Sequence, residues 1–317
     1  MTARTLTRVN EAAKMVGYGA FDKVFIYDPS TGGYHHLGTY VTGGPFNSAL
    51  AAQYLTDQPV ALVSLVASEN PPDMSEFQNV CFEPIFVEGR LRENSVYLGG
   101  DRDDEPEHGM SSFRITEYHI GQFRDHLRMV QPGQPVAFTG SLAPGETAEH
   151  RASLVRMVKA QHGRPVIDTR PEVLLDMRRS DPGLLDGVII KQNERELARL
   201  VAPGHLNGYP SWVKESRKWS EGSTFVITRH DCTLVVTADE AWRIHLDPQF
   251  RPQVVCRVGC GDCTVAGIAV SLPKGIVQAV CDGKGASQAN VENHRPGRIS
   301  RDRAKSLSSH MVIEPIH

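Results

Sequence analysis

Apolar residues along this chain fall into two recurring patterns. Short unbroken runs read as buried parallel strands: KVFIY at 23–27, VALVSLV at 60–66, PVAFTG at 135–140, PVIDT at 165–169, GVIIK at 187–191 and TFVIT at 224–228. Between them, FNSALAAQYL (46–55), ETAEHRASLVRMVKAQH (146–162), NERELARL (193–200) and YPSWVKESRKWS (209–220) space their apolar positions three to four apart behind turn or capping residues. That spacing predicts amphipathic helices. Alternation of strand and helix predicts an α/β domain with a parallel sheet covered on both faces. One segment breaks the rhythm. From Phe82 to Phe123 strand-like pieces surround an acidic tip with no evident helix, predicting a β-hairpin or flap that projects from the main sheet, with Arg102 to Gly109 as a solvated loop.

Composition narrows the function classes. A chain of 317 residues, 40% hydrophobic and 22% charged, has room for one large α/β domain or two modest ones, which excludes disulfide-stapled miniproteins and fibrous repeats. Lys+Arg 34 against Asp+Glu 37 gives a formal charge of -3, without the basic signature of a nucleic-acid partner. No run approaches the roughly 18 apolar residues of a membrane span, and the first residues lack an apolar signal core, so the expectation is a cytoplasmic protein with no membrane partner. Six cysteines are few, yet Cys256, Cys260, Cys263 and Cys281 crowd into the last quarter. There is no Walker A sequence and no H-E-x-x-H pair.

The stretch from Val258 to Gly267, VGCGDCTVAG, leads into the apolar run IAVSL. Two glycines ahead of a helix let backbone amides turn toward an anion, and the helix start adds a partial positive charge. An aspartate at the mouth of such a cradle can take a proton from a hydroxyl while the cradle holds a transferring phosphoryl group. Alone, a Gly-x-Gly-Asp turn serves equally well to cap a helix.

Its companions sharpen the reading. From about Val16 to Ile316 the chain resembles the PfkB/ribokinase family of carbohydrate kinases. The family's Gly-x-Gly-Asp followed by Ala-Gly is matched by Gly259, Gly261, Asp262, Ala266 and Gly267; its Gly-Ser-Leu-x-x-Gly turn by Gly140 to Gly145; and its Lys-x-Asn-x-x-Glu segment by Lys191, Asn193 and Glu196. Fainter matches are Asp22, Gly43 and Asn47 in the substrate turn, and Arg92 and Asn94 on a lid strand. The 1-phosphofructokinase and tagatose-6-phosphate kinase branch is compatible with these motifs.

The resemblance implies a ribokinase-like three-layer α/β/α sandwich, a single domain over residues 1–317, with a mostly parallel central sheet and a small β lid from segments near 22–45 and 82–123. It implies transfer of the γ-phosphoryl group of ATP, with Mg2+, to a hydroxyl of a sugar or sugar phosphate. Asp262 would be the base and the amides of Gly259, Cys260 and Gly261 the anion hole. Asn193 and Glu196 would hold magnesium through water, with Lys191 and Thr228 along the nucleotide. Asp22, Gly43, Asn47, Arg92, Asn94 and Ser141 would bind the acceptor. Taken singly, Asp22 or Arg92 is as readily a surface ion or a snorkelling stem. A homodimer through the lid is a further expectation.

Departures from the family pattern qualify this. His230 and Thr233 stand where glycines are expected after Thr228, so that turn must be rebuilt and nucleotide choice is open. Thr42 replaces the first glycine of the substrate turn, no lysine follows the pair, and Arg257 replaces the usual threonine. Three other readings stay in view. A catalytically weak or inactive relative could bind a ligand or partner in the same cleft; the acceptor could be a nucleoside; and Cys256, Cys260 and Cys263 have the C-x3-C-x2-C spacing of an iron–sulfur ligand set.

Overall fold

The chain begins with strand β1 (Lys14–Tyr18), then β2 (Ala20–Asp28), β3 (Gly33–Thr42), helix α1 (Gly44–Leu55), β4 (Val60–Ala67), β5 (Val80–Val87), β6 (Glu93–Leu98) and β7 (Glu107–His108). It continues with α2 (Glu117–Leu127), β8 (Pro135–Thr139), α3 (Ala148–Ala160), β9 (Arg164–Asp168), α4 (Pro171–Ser180), β10 (Ile189–Asn193), α5 (Glu194–Leu200) and α6 (Tyr209–Trp219). The last third carries β11 (Thr224–Thr228), β12 (Thr233–Val236), β13 (Ala241–Leu246), α7 (Cys260–Ser271), α8 (Ile276–Asn290), α9 (Arg301–Ser309) and β14 (Met311–Pro315). The structure, a computed structural model, describes residues 11–99, 107–201, 206, 208–220, 222–229 and 231–317.

Two sheets result. The main sheet runs β14-β13-β12-β11-β10-β9-β8-β1-β4-β5, parallel from β11 to β5 and antiparallel across β11, β12, β13 and β14. Its strands alternate faces with period two. Val63 and Leu65 of β4, Val136 and Phe138 of β8 and Phe225 and Ile227 of β11 join the core under α2 to α6, while Leu62, Ala137 and Val226 join the core under α1, α7, α8 and α9. Helices therefore cover both faces, and each large side chain withdrawn from water contributes about 1.5–3 kcal/mol before entropy is subtracted. Among the described residues no helix is long and apolar enough to cross a membrane.

The second sheet, β3-β2-β6-β7, stands apart and has its own small core of Val24, Val96, Leu98 and Cys256. Three expectations are corrected here. Residues 23–27 are part of β2 in this second sheet, and the main sheet instead starts with β1, a shorter run broken by Gly17. The segment 82–123 is a hairpin only in part: β6 and β7 pair antiparallel as expected, but 82–87 belong to the edge strand β5, paired parallel to β4, and β6 also pairs parallel with β2. A helix, α2, begins at Glu117 behind a Thr116 cap, so the second sheet takes only β6 and β7 from this region. Of the expected acidic loop, Arg102 to Pro106 lie outside the described residues.

Candidate active site

Helix α7 starts at the carboxyl ends of the parallel strands, where open α/β sheets place their ligands. Gly259 precedes it at φ 79°, a left-handed conformation that glycine adopts without strain, and no side chain caps the helix. A β-carbon at Gly261 would lie 2.8 Å from Lys191 Nζ, so the bare backbone lets that ammonium reach the helix start. Of the three amides expected to form an anion hole, that of Cys260 already donates to the carbonyl of Arg257 at 3.3 Å. Among the described residues, no acceptor engages the N–H of Gly259 or Gly261.

Asp262, in the first turn of α7, sits on the cleft floor. Asn47 Nδ2 donates to its Oδ2 at 2.8 Å, and Ser48 Oγ donates to its main-chain oxygen at 3.0 Å, tying α1 to α7. Burial, joined by the charges of Asp168 and Asp22, pushes its carboxyl up to about 7 against the opposing pull of Asn47 and Lys191. Lys191 Nζ is buried and donates to Asp168 Oδ2 at 3.0 Å. Burial disfavours the ammonium, yet Asp168, Glu196 and Asp262 outweigh it and raise its pKa.

Asn193 and Glu196 close a reciprocal cap on α5: Glu196 N–H donates to Asn193 Oδ1 at 2.9 Å, and Asn193 N–H to Glu196 Oε2 at 2.7 Å. One oxygen of each is thus engaged. Three carboxylates, Asp168, Glu196 and Asp262, surround the single ammonium of Lys191, and burial raises the pKa of Glu196 as well. That surplus of negative charge suits a divalent cation. Among the described residues no three acidic, histidine or cysteine side chains form a ready-made metal cage.

The second sheet supplies the other wall. Asp22 and Asn94 are paired across β2 and β6, and Asn94 Nδ2 donates to Asp22 Oδ1 at 2.7 Å, both side chains being buried. Burial raises the Asp22 carboxyl above the usual range, opposed by Asn94, Thr42, Arg92 and Arg295. Arg92 lies over the Tyr18 ring at 5.6 Å, and Arg295 over the Tyr40 ring at 4.9 Å while its Nε donates to Glu76 Oε2 at 3.0 Å. Asn47 Oδ1, Arg92 Nε and Arg295 Nη2 are buried without a partner among the described residues. Buried polar atoms are normally satisfied, so these three are positions where a polar ligand would find a ready acceptor and two donors. Gly43, at φ 90°, precedes α1, and a β-carbon on Gly44 would lie 2.8 Å from the nitrogen of Gly140, so this turn is pressed against the loop bearing Ser141.

Beyond Lys191 a cavity of about 710 Å³ opens between α7, α8 and the β11–β12 hairpin, lined in part by Asn193, Thr228, Arg229, Gly261, Lys284 and Ser287. The hairpin is the rebuilt turn. Thr228 pairs with Thr233, and Arg229 N–H donates to Cys232 O at 2.9 Å, so Thr233 lies in β12 and not at a glycine-like corner. His230 lies outside the described residues. Arg229 braces the turn through Glu194 at 3.3 Å and the Trp212 ring at 5.2 Å. Arg257 is exposed and also lines the cavity mouth.

The fold thus brings Asp22, Asn47, Asp262, Lys191 and Glu196 to one cleft. Asp168, Arg295 and Lys284 are additions that motif reading missed. Asp168 had a usable signal, an acid at the carboxyl end of a central strand; the other two are set by tertiary approach. The iron–sulfur spacing divides between cores, with Cys256 among Val24 and Val96, and Cys263 under α7. Burial raises the pKa of both the Cys260 and Cys263 thiols.

No protein-family model matches the chain. Solved structures do. A protein described as a possible 1-phosphofructokinase from Thermotoga maritima superposes with a TM-score of 0.80 at 16% identity, over 96% of this chain and 99% of that one. Phosphofructokinase-2 from Escherichia coli in complex with substrates and products gives 0.77 at 18% identity, over 94% and 98%. The same enzyme in complex with fructose-6-phosphate gives 0.75 at 17% identity, over 95% and 99%. The chain therefore has the ribokinase-like α/β fold of these sugar kinases.

Proposed function

We propose that this protein is a PfkB-type carbohydrate kinase that moves the γ-phosphoryl group of ATP, in the presence of Mg2+, to a hydroxyl of a sugar or sugar phosphate. The observation that carries the reading is Asp262: a carboxylate poised near neutral pH at the open start of α7, held by Asn47 and facing both the acceptor wall and Lys191.

In the reaction, Asp262 takes the proton of the acceptor hydroxyl as its oxygen bonds to the γ-phosphorus and the bond to the leaving ADP oxygen breaks. The free amides of Gly259 and Gly261 and the dipole of α7 stabilise the transferring group, and Lys191 lies along the phosphates. Bound magnesium would supply charge neutralisation on the phosphates, held through water by Glu196 and Asn193. Asp22 and Asn94 orient acceptor hydroxyls, with Asn47 Oδ1 offering one more acceptor. Arg92, Arg295 and Ser141 are placed to hold a phosphate on the acceptor, which supports a sugar phosphate; the Escherichia coli neighbour is seen with fructose-6-phosphate. The second sheet is the lid, excluding water from the cleft. Its edge strand β3 pairs only with β2 among the described residues, leaving its outer edge open, and carries exposed Leu37, beside exposed Ile26 of β2, which supports a homodimer formed there. Six unpaired thiols agree with a reducing, cytoplasmic setting.

The test is a panel of sugars, sugar phosphates and nucleosides assayed for magnesium-dependent ADP release, with Asp262→Asn as control. Turnover with one acceptor class, lowered roughly 10²-fold to 10⁴-fold in the variant, is expected. Silence across the panel from protein that nevertheless binds nucleotide would favour a ligand-binding relative.

A further inference from the structure

Lys284 has no use in the reaction described above, yet its side chain is buried. It lies in α8 between Gly283 and Gly285, only 6% exposed, and lines the donor-side cavity with Gly261, Thr264 and Ser287. Among the described residues no carboxylate lies within 4 Å of its ammonium and no acceptor within hydrogen-bond distance. The titratable groups that act on it from its surroundings are Cys232 and Cys260 and, behind them, Asp231 on the hairpin, which is shared with Arg229, itself engaged by Glu194. Burial pushes the Lys284 ammonium below its ordinary value. An ammonium at the end of a buried side chain, open only toward the cavity and without an internal partner, carries part of a desolvation cost, and it offers only donors. A ligand entering the cavity with an oxygen acceptor at that point removes the cost.

We propose that Lys284 binds the phosphoryl donor, donating a hydrogen bond to an oxygen acceptor on whatever occupies the cavity: a carbonyl oxygen on the base or an additional phosphate oxygen. The proposal rests on the kinase reading for its biological sense, but its chemistry is a binding property. Adenine presents an exocyclic amino group where guanine presents a carbonyl oxygen, so a donor-only side chain discriminates between them if the base reaches it. If a phosphate reaches it instead, the affinity gain is indifferent to the base.

The experiment is calorimetric titration of the full chain, without sugar, with Mg-ATP, Mg-GTP and inorganic tripolyphosphate, for the native protein and for Lys284→Met. Replacing a buried charge by an apolar chain of similar length is compatible with folding; Lys284→Gln, which keeps a neutral donor, is the second variant. A loss of at least about 10-fold in affinity for GTP alone supports base reading, and an equal loss for all three ligands supports phosphate reading. Unchanged affinities in the folded variants, or no binding of any of the three to the native protein, overturn the proposal. Because no turnover is measured, Lys284-dependent binding alongside silence in the sugar panel would remove the kinase reading alone, and unaltered affinities in an active kinase would remove only the role of Lys284.

Discussion

At the scale of single residues, the proposed base Asp262 is expected to set the pH behaviour. A base must be ionised, and burial together with Asp168 and Asp22 holds its pKa up at about 7, so kcat/KM should rise with pH and level off above that value. The same shift has a stability consequence of definite sign. Between the ordinary carboxylate value and about 7 the folded state holds a proton that the unfolded state has lost, so this group's contribution weakens as pH rises through that window. Asp262→Asn should therefore raise Tm more at pH 8 than at pH 5, by roughly 2–4 °C; an equal Tm change at both pH values would show that the carboxyl titrates normally. Asp262, Lys191 and Asn47 were singled out in the sequence by their match to the family's motifs, and they lie in one cleft. Arg295 was not: it lies in the segment after α8 and reaches Tyr40 and Glu76 only through the fold.

Among the elements, the contact between α7 and α8 decides where the turn bearing Asp262 sits. A β-carbon on Gly267 would fall 2.4 Å from the Cα of Gly283, and one on Gly283 would fall 2.5 Å from the carbonyl oxygen of Thr264, main chain against main chain in both cases. Neither atom belongs to a side chain that can swing aside. Gly283→Ala should cost about 2–3 kcal/mol, seen as a Tm lowered by several degrees, and should reduce kcat because α7 must move at its first turn. A variant with native Tm and kcat would mean that the helices separate without cost. Strand and helix periodicity exposed most of the main sheet, since buried parallel strands are unbroken apolar runs. It failed at β1, where Gly17 interrupts the run, and at β2, whose apolar stretch is built into a different sheet. Periodicity reports burial, and it is blind to which partner does the burying.

For the whole molecule, the decisive fact is that the proposed acceptor groups and the proposed base belong to different sheets. Asp22 is on β2 and Asp262 on α7, close enough for one to raise the pKa of the other. An acceptor that touches both joins two bodies, and a nucleotide filling the adjoining cavity presses on the same cleft. Thermal stabilisation by acceptor and a non-hydrolysable nucleotide together should exceed the sum of their separate shifts by a few degrees. Strict additivity would indicate that the second sheet does not close over the cleft.

The cysteines flanking Asp262 have one more consequence. Cys263 is fully buried beneath α7, and its thiol is pushed well above the ordinary value. In the native protein it has neither the access nor the ionised form that alkylation requires. Any slow reaction of Cys263 with a maleimide must then report the moments when the helix lifts from its neighbours. The chain carries, one residue from its proposed base, an intrinsic clock for the opening of its own catalytic helix, and ligands that hold the helix down should slow that clock in proportion to their grip.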